Sequence, residues 1–173
     1  MWLKIIGSLL ILSAATCLGF RAAAAFAERP RHISQMISCL CALKSQINYI
    51  SCPLSEAFFK STAGVYGPVA RLFQNIGGIL EEKGWLTPLE AMNLAYAMEK
   101  EELALKRPEL ETLEALFANL GIMDREEQQK SINLAEYQLT RIQEDAQEFS
   151  AQNVKMYRYL GICGGLALIL IFI

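Results

Sequence analysis

Apolar residues recur through the interior of the chain at spacings of three and four, the period of a helix that buries one face, and no alternating stretch of useful length predicts a strand. After Pro30 the positions Ile33, Met36, Ile37, Leu40, Leu43 and Ile47 fall on one side of a first interior helix. Pro53 suits the first turn of a short helix holding Leu54, Ala57 and Phe58, which Gly64 and Gly67 end. A third helix starts at Pro68, turns Val69, Leu72, Phe73, Ile76, Ile79 and Leu80 inward and closes at Gly84. Its interior pair Gly77-Gly78 costs about 1 kcal/mol per glycine relative to alanine, so a break or the close approach of another helix is expected there.

Thr87-Pro88-Leu89-Glu90 is a capping box with proline at the first helical position, opening a fourth helix that runs toward Lys106. Pro108 opens a fifth, with Leu110, Leu113, Leu116, Phe117 and Leu120 along one side and Gly121 as its stop. Asp124 and Glu127 start the last, and no proline or glycine follows until Gly161. Its seam Ile132, Ala135, Leu139, Ile142, Ala146, Phe149, Asn153 and Met156 leads straight into an apolar tail. One long helix is therefore expected to join the interior domain to that tail. Its seam reads either as a core stripe of an antiparallel bundle or as an intermolecular coiled coil.

Both ends are apolar. Ile5 to Phe20 carries no charge and is extended past Arg21 by Ala22 to Ala25, and Tyr159 to Ile173 reads YLGICGGLALILIFI. About 20 apolar residues cross a hydrocarbon core, and the shorter tail approaches that length with Met156, Tyr157 and a snorkelling Arg158. The expectation is an all-α protein: an antiparallel bundle of five to six helices over 26–155, flanked by transmembrane segments at 1–25 and 156–173. Arg21, Arg29, Arg31, Lys155 and Arg158 lie between the spans and only Lys4 outside, which places the bundle in the cytosol and both termini on the far side. The competing reading is an exported helical binding protein with a hydrophobic tail, its signal peptide cleaved at Ala25-Phe26-Ala27.

Composition and chemistry narrow the function classes. The 173 residues leave room for one domain, and a net charge of -2 gives no basic face for nucleic acid. Cys39, Cys41 and Cys52 form no spacing framework and read as free thiols in a reducing compartment. Cys39 and Cys41 project about 200° apart on a helix and cannot chelate one ion. His32, the only histidine, stands beside Arg29 and Arg31 and reads as an interface contact near the membrane. There is no phosphate-binding glycine turn, and Glu81-Glu82, Glu99 to Glu102 and Glu126-Glu127 read as solvated faces or first turns. No catalytic, cofactor-binding or metal-ligating residue is assigned, no cofactor is expected, and the chain reads as a non-enzymatic assembly protein.

Several local sequences, in order, resemble the stage III sporulation protein AB family of endospore-forming bacteria. They are Glu28-Arg29-Pro30-Arg31; Leu43, Ile47 and Tyr49 leading into Pro53-Leu54 and Glu56-Ala57; Leu120-Gly121 with Asp124 and Gln128; and Leu160-Gly161 with Gly164-Gly165-Leu166. The sequence departs from the family at Lys44 and Gln46, at Ala118 and across 65–104. The resemblance implies a helical domain similar to the inner-membrane platform protein of type II secretion. It also implies a place in the channel complex between mother cell and forespore, in the mother-cell membrane around the forespore. The partners it implies are a secretion-type ATPase, other membrane proteins of that complex, the bilayer and further copies of the chain.

Overall fold

The computed structural model describes residues 2–49, 52–121 and 124–172; the side chains described in its two terminal helices are chiefly those of 26–47 and 126–156. Among the described residues there are six helices and no strand: α1 Trp2–Tyr49, α2 Leu54–Ser61, α3 Pro68–Glu82, α4 Pro88–Glu99, α5 Arg107–Asn119 and α6 Arg125–Phe172. The chain divides into two compact units, one made of Met1–Pro30 with Asp145–Ile173 and the other of Arg31–Glu144.

The Arg31–Glu144 unit is an all-helical bundle with one continuous core. On α1 the face anticipated from the sequence is buried at Ile33, Met36, Leu40 and Leu43. Phe58 of α2 meets Phe73 of α3 at 5.9 Å between ring centroids and stacks on Phe117 of α5 at 5.6 Å. Such pairs add about 0.5–1.5 kcal/mol each beyond the area they bury. Met92, Leu113, Leu116, Ile132 and Leu139 complete the core.

Gly77 resolves as a close approach. An added Cβ there would lie 3.0 Å from the Ser55 carbonyl oxygen and 3.3 Å from Phe58 Cβ, whereas one on Gly78 would meet nothing within 4 Å. Helix α3 therefore runs unbroken through both glycines, and α2 crosses it where the first has no side chain. Gly64, Gly67 and Gly121 take positive φ, as chain reversals at helix ends require.

Two boundaries differ from the pattern. Helix α1 continues through Pro30 instead of beginning after it, although proline removes one i→i−4 hydrogen bond. Helix α4 ends at Glu99, well short of Lys106. The segment after it leaves the helix so that Leu103 can be buried and the Ala104 N–H can reach α1. The seam of α6 is buried at Ile132, Ala135, Leu139 and Ala146 and then opens, with Phe149 and Met156 about half exposed.

In the unit made of Met1–Pro30 and Asp145–Ile173, Phe26 faces Phe149 at 6.1 Å between centroids. Among the described residues no helix is long and apolar enough to cross a membrane. The segments expected to span, 1–25 and 156–173, lie outside those residues in their side chains except at Cys17, Ala24, Met156, Tyr159 and Cys163.

Candidate interaction surfaces

Among the described residues, three polar joints stand out in the Arg31–Glu144 unit. Near the end of α1, Lys44 Nζ donates to both Glu136 carboxylate oxygens, the shorter at 2.9 Å, and to Asn133 Oδ1 at 2.9 Å. One turn earlier Cys41 faces the same carboxylate. Its thiol is raised above the ordinary value by burial first, and then by its hydrogen bond to Glu136 and the charge of that group. Lys44 and Glu136 side chains are 26% and 17% exposed, so the pair is only partly screened by solvent, yet such pairs still contribute on the order of 1 kcal/mol.

The second joint makes α3 and α4 an antiparallel hairpin. Arg71, at the start of α3, donates to Glu99 at 2.8 Å and to Glu102 at 2.6 Å, and Asn75 donates to the second oxygen of Glu99 at 3.2 Å. Bonding to Glu99 first and Glu102 second raises the guanidinium pKa further. At the turn between these helices Thr87 and Glu90 form the anticipated capping box, and the Thr87 N–H and hydroxyl hold the Glu90 carboxyl below its usual range.

The third joint was not anticipated: His32, expected as an interface contact, is buried in the bundle, and its Nδ1 accepts the Ala104 N–H at 3.1 Å. It supplies an acceptor to a peptide donor that lies outside any helix, and this requires Nδ1 to carry no proton. Glu109, fully buried, also escaped the sequence reading; its carboxylate accepts the Lys106 N–H at 3.0 Å and caps α5. The available signal was glutamate at the third helical position after a proline start, without the usual Ser or Thr at the cap.

The described residues contain no group of three or more His, Cys, Asp or Glu placed to hold a metal. Cys39 is buried and Cys41 exposed, so the two do project apart, and burial pushes the Cys39 thiol up to about 12. Of the carboxylates expected to be solvated, Glu99 is the exception, only 12% exposed against Arg71.

Among the described residues, two outward faces of the unit combine exposed apolar side chains with charged margins. The α3–α4 hairpin exposes Trp85 in its turn and Leu94 and Met98 on α4, one turn apart. Glu81 and Glu82 at the end of α3 and Glu101 just past the end of α4 stand exposed, as do Lys83 and Lys100, and none of the five forms an ion pair among the described residues. Helix α4 is thus apolar on two sides, since Ala91, Met92 and Ala95 fill the core. Between α5 and α6 lies an open groove of about 460 Å³, lined in part by Thr112, Ala115, Tyr137 and Ile142.

Comparison with known proteins places these features in a lineage. The sequence pattern of the family described as stage III sporulation protein AB matches residues 4–173. The chain is 36% identical over 169 residues to stage III sporulation protein AB of Bacillus subtilis (strain 168), covering 98% of each. A solved structure of a stage III sporulation protein AB superposes with a TM-score of 0.65 at 32% identity, over 71% of this chain and 96% of that one.

Proposed function

Because the chain belongs to the stage III sporulation protein AB family, we propose that it is a non-enzymatic membrane component of a mother cell to forespore channel, whose helical unit docks a cytosolic ATPase. The two terminal apolar stretches anchor it in the mother-cell membrane around the forespore. The family match includes both stretches, which supports reading them as part of the working molecule.

The distribution of charge supports the orientation. Residues 31–144 hold fifteen of the eighteen acidic side chains and eleven of the sixteen basic ones. The remaining segments are basic on balance, with Lys4, Arg21, Arg29, Lys155 and Arg158 against Glu28, Asp145 and Glu148. A net positive margin beside apolar segments is retained on the cytosolic side.

The observation that carries the docking reading is the α3–α4 hairpin, where Trp85, Leu94 and Met98 are exposed and where Glu81, Glu82 and, past the end of α4, Glu101 form no ion pair among the described residues, with Lys83 and Lys100 between them. An exposed aromatic in the turn, exposed apolar side chains on α4 and a charged margin together have the composition of a binding surface, and the margin, acidic on balance, favours a partner of opposite sign. The test uses the full chain in nanodiscs and the ATPase of the same complex at low salt. Binding should be lost in Trp85→Ala and in the triple reversal Glu81→Lys, Glu82→Lys, Glu101→Lys. Unaltered binding in both, or none in the parent, removes the reading. Protease protection of tagged termini in membrane vesicles tests the orientation separately, and cleavage of both tags from the cytosolic side would reject it.

A further inference from the structure

We infer that the α5–α6 groove is a self-complementary contact through which two copies of this chain associate. On one wall, α5 presents Glu111 with Thr112 and Ala115; on the other, α6 presents Tyr137, Arg141 and Ile142. The apolar floor is thus bordered by a carboxylate on one side and a guanidinium on the other.

These two charges do not pair with each other. Arg141 is held against its own helix, donating to the Tyr137 hydroxyl at 3.2 Å with its guanidinium carbon 5.9 Å from the ring centroid. Glu111 is exposed and forms no ion pair among the described residues, and Glu114, one turn along, is likewise exposed. Tyr137 is 60% exposed and Leu134 57%, so α6 carries an uncovered apolar strip beside its oriented cation.

A surface that holds both signs beside an apolar centre can satisfy itself across a two-fold axis. Residue i of one copy then meets residue j of the other, and j meets i, which is the condition for an isologous interface. Turning one groove onto another sets Arg141 of each copy against Glu111 of the other and lays each Tyr137 ring toward the opposing floor. A uniformly charged partner would leave one of the two walls facing its own sign. The α3–α4 hairpin also exposes Lys83 and Lys100 beside its carboxylates, but among the described residues neither is held against an aromatic ring as Arg141 is. The inference does not depend on the ATPase reading, which concerns that other surface.

The experiment exploits the reciprocity. Full-length chain carrying either of two affinity tags is mixed in detergent, one tag is captured, and the fraction of the other retained is measured. The parent should self-capture. Glu111→Arg alone and Arg141→Glu alone should each weaken it at least tenfold, since each places like charges at both contacts. Mixing Glu111→Arg chain with Arg141→Glu chain should restore capture, because both contacts then join opposite charges. Recovery in the mixture cannot arise from pairing inside one chain. Thermal unfolding by circular dichroism checks that the variants fold; should one not fold, Glu114→Lys and Tyr137→Ala on the same face carry the same decision. No self-capture by the parent, undiminished capture by the folded single variants, or failure of the mixture to recover overturns the inference.

Discussion

Adjacent glycines on α3 should respond to the same substitution with opposite sign. Alanine at either position gains about 1 kcal/mol of helix propensity, because it restricts the unfolded chain and adds no polar group. At Gly78 nothing opposes that gain, for the new methyl meets no atom within 4 Å. At Gly77 the methyl meets the Ser55 carbonyl at 3.0 Å, Phe59 Cε2 at 3.2 Å and Phe58 Cβ at 3.3 Å. Only the Phe59 ring can swing away. The other two atoms are fixed to the α2 backbone, so relief requires moving that helix, and overpacking of this sort costs about 1–3 kcal/mol. The propensity gain is common to both variants and cancels in their difference. Gly78→Ala should therefore exceed Gly77→Ala in stability by about 1–3 kcal/mol, with the parent between them. Thermal unfolding of parent and both variants in one detergent, followed by circular dichroism at 222 nm, measures it. Equal shifts of the same sign would refute the crossing of α2 over Gly77.

Three further outcomes follow from buried and capping side chains. His32→Phe keeps a ring but removes the acceptor for the Ala104 N–H, and should cost about 1–3 kcal/mol in denaturant unfolding, whereas an exposed control such as Gln129→Ala should be near neutral. Cys39 keeps its proton up to about 12 when folded and releases it above about 9 when unfolded, so its contribution is full below pH 9 and lost as pH rises toward 12. Cys39→Ala should flatten that alkaline decline in Tm. Glu90, held below its usual range by Thr87, contributes above that range and loses its contribution as pH falls through the lowered value. Glu90→Gln should thus show a shallower acid decline than the parent, and Thr87→Ala should lose about 1 kcal/mol at neutral pH.

The helices were legible where chemistry is local. Thr87 with Glu90, Pro68 at a first turn and Gly121 as a stop each act within a few residues, and each appears at its expected place. The buried stripe of α1 followed from spacing alone, because a 3.6-residue period needs no partner to be recognised. Illegible features depended on distant chain. The end of α4 is set by Leu103 seeking the core and by an acceptor 72 residues away on His32. Nothing around Lys44 announced Glu136, 92 residues along, and the third helical position of Glu109 marks it as a capping group without telling that it is fully buried. Gly77 and Gly78 look alike in sequence, and only the path of α2 separates them. The outward surfaces were hardest to foresee, since amphipathic periodicity marks which residues turn inward and leaves unmarked which of the others stay uncovered. Leu94 and Tyr137 read as ordinary helix positions until their neighbours are known.

The exposed indole at the α3–α4 turn also governs how the molecule can be watched. The chain has two tryptophans, Trp2 and Trp85, and Trp85 is 78% exposed in the folded unit. An indole so exposed should already emit at the long wavelength of one in water, so melting the core should change its spectrum little and its fluorescence should under-report unfolding. The same property makes it a quiet background for association. With Trp2 replaced by phenylalanine, a blue shift in the remaining emission would register the moment a partner excludes water from that turn.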